Sequence, residues 1–233
     1  MKRLDTLKRE ALEANLALKE KDLIISTWGN VSVYDPDSGL MIIKASGVPY
    51  DGMGIDDMVV VKPDGSVIDS AKRPSSDTPT HLYLYRHFAK EGVLSIVHTH
   101  SQYATIWAQS CLPLPCYGTT HADYFHGPVP CTREMSDEEI EERYEENTGK
   151  VIVEALEETN PIHTSAVLVA SHGPFTWGKT ANDAVFHAEV LEYVAKMALF
   201  NRLLTPAIEP AKQTLSDKHY FRKFGPLAYY GQP

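Results

Sequence analysis

The stretch that most constrains this chain is Ser95-Ile96-Val97-His98-Thr99-His100-Ser101, a short apolar run ending in two histidines at i and i+2. On a β-strand, residues at that spacing project to one face about 7 Å apart along the backbone, so two imidazoles can share one divalent cation. A catalytic zinc takes nitrogen ligands at about 2.0 Å and holds three or four protein ligands, leaving a position open for substrate. The pair is therefore half a site, and a fold that uses it must bring further donors to the end of this strand. The plain alternative is an accidental pair, in a chain that has ten histidines.

Length and composition say how such a site can be housed. With 233 residues, 43% of them hydrophobic, the chain can bury one substantial core. No linker divides it, so residues 1–233 are expected to form a single α/β domain. The net charge of -9 argues against a nucleic-acid or anionic-membrane surface, which would need clustered Lys and Arg. An anionic ligand would need a local pocket of donors. The first eighteen residues lack an apolar signal-peptide core, and no apolar run of about 18 residues is present to span a bilayer. A cytoplasmic protein is expected, with Cys111, Cys116 and Cys131 as reduced, buried thiols.

Leu4, Leu7, Ala11, Ala14 and Leu18 recur at helical spacing and predict an amphipathic helix over residues 3–19. Short strands are expected at Leu23 to Ser26, Val31 to Tyr34, Leu40 to Ile43, Met58 to Val61 and Ser66 to Ile68, with a tight turn at Gly29-Asn30. Thr78-Pro79 reads as an N-cap followed by proline, opening a helix to about Lys90. A strand from Gly92 to His98 and a helix from Tyr103 to Gln109 follow. The long polar loop Cys111 to Cys131 has the character of a functional loop. Ser136-Asp137-Glu138-Glu139 forms a capping box that opens an acidic helix to about Glu158, read as a solvated face. Strands at Ala166 to Ala170 and Phe175 to Trp177 precede a helix capped by Thr180, with Ala184, Val185, Ala188, Leu191, Val194 and Leu199 as its buried stripe.

His172 sits where a strand gives way to Gly173-Pro174, much as His100 follows its own strand. Sites collect at strand ends in α/β folds, so His98, His100 and His172 make a three-imidazole set, to which Asp77 could add a carboxylate. Read alone, His172 is equally a turn histidine and Asp77 an N-cap. Other motifs are set aside. Asn147-Thr148-Gly149-Lys150 lacks the first glycine and the final Ser or Thr of a P-loop, and no dinucleotide fingerprint or nucleophile elbow occurs. His81, His87, His163 and His187 read as surface or helix-face residues.

Several segments, taken together and in order, carry a resemblance. They are Thr27-Trp28-Gly29-Asn30-Val31-Ser32, Lys44-Ala45-Ser46-Gly47-Val48, Pro74-Ser75-Ser76-Asp77-Thr78-Pro79-Thr80-His81, His98-Thr99-His100, Gly118-Thr119-Thr120-His121-Ala122-Asp123-Tyr124 and Ser171-His172-Gly173-Pro174. With the tail Lys218-His219-Tyr220 and Tyr229-Tyr230-Gly231-Gln232, they resemble the pentulose-phosphate epimerases of the class II aldolase and adducin family. The resemblance implies one three-layer α/β/α domain around a mainly antiparallel sheet, and a homotetramer whose C-terminal tails reach neighbouring subunits. It implies one zinc per subunit on Asp77, His98, His100 and His172. It also implies a phosphate and substrate pocket from Gly29, Asn30, Lys44, Ser46, Gly47, Ser75 and Ser76, whose hydroxyls, turn amides and lysine suit a phosphate. Asp123 and Tyr230 match the pair that exchanges the C4 hydroxyl proton. The implied reaction is C4 epimerisation of L-ribulose 5-phosphate in pentose-phosphate catabolism. The alternatives are a sibling sugar-phosphate aldolase of the L-fuculose-phosphate type and an adducin-like interaction domain.

Overall fold

The apolar runs assemble into one seven-stranded sheet in the computed structural model of the chain, which describes residues 2–68, 70–226 and 228–230. The strands are β1 (Asn30–Asp35), β2 (Leu40–Lys44), β3 (Met58–Val61), β4 (Val67–Ile68), β5 (Ser95–His98), β6 (Ala166–Leu168) and β7 (Pro174–Gly178). They lie in the order β4-β3-β2-β1-β5-β7-β6, and the strand pairings among the described residues are antiparallel. The helices are α1 (Lys2–Glu20), α2 (Thr78–Phe88), α3 (Gln102–Gln109), α4 (Thr119–Ala122), α5 (Asp137–Ala155), α6 (Ala181–Leu204) and α7 (Gln213–Phe224).

Period-two alternation decides which residue enters which layer. Met41, Ile43, Val59, Val61, Ile96 and Trp177 face α2 and α5 and join Leu84 and Ile152 in one core. Their neighbours Ile42, Val60 and Val97 point to the opposite face, where Ala11 and Leu18 of α1 and Ala184 and Ala188 of α6 cover them. Runs such as Met58-Val59-Val60-Val61 are apolar throughout because both faces of the sheet are covered. The result is the expected α/β/α layering.

Several expectations are corrected. Leu23 to Ser26 is not a strand: Leu23 bonds back to Leu18 O, Ser26 has positive φ, and the segment has no sheet partner. β5 begins at Ser95, because Gly92 (φ 98°) terminates a 3-10 turn at Ala89–Glu91. The N-cap of α2 is Asp77, so Thr78 is its first residue. The acidic helix ends at Ala155 and is interrupted at Arg143 (φ -143°, ψ 59°). The tail forms α7, whose mixed polar face gave no clear period. Cys111 is exposed, Cys116 buried and Cys131 intermediate. The capping boxes at Ser136 and Thr180 form as expected. Gly231 and Gln232 of the tail motif lie outside the described residues. No helix among the described residues is long and apolar enough to cross a membrane.

The histidines also differ from expectation. His87 is exposed, but His81 is fully buried on α2, its Nδ1 2.7 Å from Ser32 Oγ. His121 is buried in α4 and donates from Nε2 to Gly127 O at 2.8 Å. Burial pushes their pKa values from 6.5 down to about 3 for His81 and about 4 for His121, so both are neutral in the native state. Below pH 6.5 the unfolded chain binds protons at these rings that the native chain does not. The stability they contribute is complete above that pH and is lost as the pH falls toward the native values, by about 1.4 kcal/mol per pH unit per ring. Urea unfolding of the metal-free protein between pH 7 and 5 should show this loss. His121→Gln, which keeps a donor for Gly127 O, should flatten the slope by about one proton; identical slopes in variant and wild type would contradict the assignment.

Candidate metal centre and substrate cavity

Antiparallel register brings the chemistry to one edge of the sheet. His98 at the end of β5 is the register partner of Asn30 at the start of β1 and of Phe175 near the start of β7. Lys44 ends β2, and a bridge between Ala45 and Pro74 draws in the segment that carries Ser75, Ser76 and Asp77. A cavity of about 400 Å³ opens there. Gly29, Asn30, Lys44, Ser46, Gly47, Ser75, Ser76, Asp77, His98, His100 and His172 all line it.

The three histidines form its metal-competent corner. Their ligand atoms lie within 4.8 Å of one another, and their ring centroids are 4.8–5.0 Å apart. His98 Nδ1 sits 3.0 Å from Pro174 O and donates to it, which leaves Nε2 as a bare lone pair. That Nε2 is 3.2 Å from His100 Nε2, close to the separation of about 3.3 Å that two nitrogens take around one tetrahedral zinc. Burial holds His100 down to about 4 and His172 down to about 3, so both are neutral and free to coordinate at pH 7. Gly173 makes the convergence possible, because a Cβ there would stand 2.9 Å from Thr99 O, in the turn that precedes His100. The donor set therefore fits a divalent transition metal, with His98, His100 and His172 as its ligands.

Asp77 lines the cavity, yet its carboxylate stands apart from that three-residue cluster. Although at the N-cap position, it makes no side-chain cap bond; its Oδ2 accepts from Asn30 Nδ2 at 2.6 Å. Burial opposes ionisation, but the neighbouring His98 and His81 and the Asn30 amide leave its pKa below the ordinary carboxylate value. The same amide reaches Ser75 Oγ at 3.1 Å, while Asn30 Oδ1 is buried without a protein partner.

The opposite wall is cationic. Lys44 is 2% exposed, its Nζ held by Thr27 O and Ala45 O at 3.3–3.4 Å and lying 5.0 Å from the centroid of the Tyr50 ring. Burial lowers its pKa and the field of Asp57 partly offsets that. Carbonyls orient an ammonium without neutralising it, so an entering anion meets an ion whose desolvation has already been met. The exposed Ser46 and Gly47 continue this wall.

Asp123 and Tyr230 do not line this cavity; they belong to a second cluster built by α4 and α7. Asp123 accepts from His219 Nδ1 at 2.9 Å and Arg222 Nη2 at 3.0 Å, with Lys223 Nζ at 3.5 Å. Burial works against its charge, but these partners hold its pKa below the usual carboxylate range. Tyr230 is 54% exposed, and the Arg222 guanidinium stacks 4.3 Å from its ring centroid. Arg222 thus touches both residues.

Sequence reasoning missed Thr27, Trp28, Tyr144 and Glu145 as lining residues. Trp28, 55% exposed, has its ring centroid 5.7 Å from that of His100. Tyr144 and Glu145 fall in the run read as a solvated face. The one available signal was a tyrosine set among five charged residues, Glu141-Glu142-Arg143 before it and Glu145-Glu146 after it, just ahead of Asn147-Thr148-Gly149.

Comparison with known proteins identifies the family. Residues 9–199 match the family described as Class II Aldolase and Adducin N-terminal domain. The chain is 52% identical over 229 residues to the L-ribulose-5-phosphate 4-epimerase UlaF of Salmonella paratyphi C, covering 98% of this chain and all of that protein. The UlaF protein of Salmonella typhi matches to the same extent. Among solved structures, an L-fuculose 1-phosphate aldolase superposes with a TM-score of 0.76 at 26% identity, covering 91% of this chain and 95% of that one. The YgbL protein of Klebsiella pneumoniae shares the fold, with a TM-score of 0.68 at 24% identity over 91% and 97% of the two chains. Fold, strand-end histidines and full-length similarity together place this chain in the class II aldolase and adducin family.

Proposed function

We propose that the chain is a cytoplasmic, zinc-dependent epimerase that converts L-ribulose 5-phosphate to D-xylulose 5-phosphate. The observation that carries this reading is one cavity holding three converging imidazoles on one side and a buried lysine with hydroxyl-bearing turns on the other. The identity to UlaF proteins over nearly the whole chain supports the choice of substrate. Inversion at C4 is chemically demanding, because that carbon is β to the C2 ketone and its hydrogen is not acidified. Breaking C3–C4 avoids the difficulty. The C4 hydroxyl loses its proton, the bond electrons move to the C1–C3 fragment as an enediolate, and C4–C5 leaves as glycolaldehyde phosphate. Rotation of that aldehyde and attack on its other face re-forms the bond with C4 inverted. His98, His100 and His172 would hold the zinc, which when bound would supply Lewis-acid stabilisation of developing negative charge.

The chain's own residues have distinct parts. Lys44, Ser46, Gly47, Ser75 and Ser76 hold the phosphate, and Asn30 Oδ1, which lacks a partner, takes a substrate hydroxyl. Asp77 orients Asn30 and stands behind the metal ligands. Asp123 and Tyr230 exchange the C4 hydroxyl proton on its two faces. Because they sit in a cluster apart from this chain's histidines, they serve the metal site of a neighbouring subunit in a homotetramer. Tyr193, Met197, Phe200 and Leu204 leave one side of α6 exposed and apolar, a surface that a second copy would cover.

Incubating the zinc-loaded protein with L-ribulose 5-phosphate should yield D-xylulose 5-phosphate without free glycolaldehyde phosphate. The structural likeness to an L-fuculose 1-phosphate aldolase favours the rival aldolase reading, for which the aldehyde would be released. His100→Asn should lose zinc and turnover together; normal zinc content with a normal rate would sink the metal assignment. The double variant Ser75→Ala/Ser76→Ala loses two hydrogen bonds to a charged group, at about 1.5–3 kcal/mol each, so KM should rise about 10²- to 10⁴-fold with little change in stability. An unaltered KM would exclude this phosphate pocket.

Subunit exchange addresses the shared site. Tyr230→Phe alone should slow epimerisation by about 10²–10⁴ while leaving zinc content intact. Hybrids of Tyr230→Phe with His98→Asn should regain activity, since some interfaces then pair an intact metal site with an intact tyrosine. Hybrids of Tyr230→Phe with Asp123→Asn should regain none, because both residues come from the same subunit. Recovery in the second mixture, or its absence in the first, would reject the arrangement.

A further inference from the structure

His98 and His172 are secured differently, and the difference singles out a residue on α5. The Nδ1 of His98 is fixed by a backbone carbonyl in its own sheet, Pro174 O. His172 has no such anchor. It follows Ser171, whose φ is 58°, in a turn closed by a bond from His172 N to Val169 O, and its ring Nδ1 faces the Tyr144 hydroxyl at 3.3 Å. We infer that Tyr144 is a positioning residue for His172: its phenol oxygen accepts the Nδ1 proton, which fixes the ring's tautomer and turns Nε2 toward the metal. This rests on the metal reading above.

The backbone around Tyr144 is built to deliver it. The non-helical backbone at Arg143 resets the helix immediately before Tyr144. Side chains brace the backbone around it. Asn147 Nδ2 donates to Glu139 O at 2.8 Å, Thr148 Oγ1 to Tyr144 O at 2.8 Å, and Thr80 Oγ1 of α2 to Glu145 O at 2.5 Å. Gly149 lets α5 press on α2, since a Cβ there would lie 2.8 Å from Tyr83 Cβ. The segment Asn147-Thr148-Gly149, which resembles part of a P-loop, is thus the mount for Tyr144. Sparsely populated backbone conformations cluster at functional sites.

A partner on the second imidazole nitrogen is commonly worth about 10–100-fold in metal affinity. Zinc affinity of the apoprotein, measured against a chromophoric chelator, should therefore fall by about 10–100-fold in Tyr144→Phe, with the circular dichroism and thermal midpoint unchanged. Turnover of this variant should return to near the wild-type value once zinc is saturating. The cobalt(II)-loaded variant should show an altered visible spectrum, a readout that packing alone would not move. Tyr83→Phe, at the same helix contact but stacked on His87 and not on the three cavity histidines, should bind zinc as wild type does. Equal zinc affinity in Tyr144→Phe and wild type overturns the inference and leaves the metal reading standing. A rate that stays depressed at saturating zinc with normal affinity also overturns it, by moving Tyr144 to the substrate. Failure of the wild-type chain itself to take up zinc rejects the metal reading and this inference together.

Discussion

The antiparallel register across β1, β5 and β7 is the constraint on which the site depends. His98 lies between Asn30 and Phe175, with its ring stacked 4.2 Å from Phe175 and its Nδ1 on Pro174 O. A one-residue slip in either pairing would turn the His98 ring to the other face and break its convergence with His172. The buried alternation on both faces resists that slip. Ile96 and Val97 belong to different cores, and exchanging them would expose each to the wrong layer. Sheet stability and ligand geometry are thus the same set of contacts.

Charge is organised locally, against the average of the chain. A net charge of -9 coexists with a buried lysine at one wall of the cavity and with His219, Arg222 and Lys223 around Asp123. Lys44 is oriented by carbonyls, which leaves its charge available to an anion. Asp123 is surrounded by donors, which keeps it ionised. The two clusters on one chain thus differ in character, imidazoles and a lysine in one and a carboxylate among cations in the other.

Local rules failed where a side chain had a better partner at long range. Asp77 stands where an N-cap would be, but Asn30, 47 residues away, takes its carboxylate. His81 looked like a helix-face residue and is instead sealed beneath the site, against Ser32. The acidic helix read as an uninterrupted solvated face, because nothing local to Arg143 marks the break; the backbone around it is braced by Asn147, Thr148 and, across the helix pair, Thr80.

By itself the sequence determined the layer pattern and the strand-end histidines, since period-two alternation and the i, i+2 spacing are local properties of a chain. It also determined the capping boxes at Ser136 and Thr180, whose partners lie three residues away. Only the tertiary structure decided that His172 meets His98 and His100, that Asp77 answers to Asn30, and that Asp123 and Tyr230 share Arg222 away from the histidines. It also brought Tyr144 to His172. The reason is physical: each of these pairings joins segments distant in sequence, so its geometry comes from strand register and helix packing, and no local spacing encodes it.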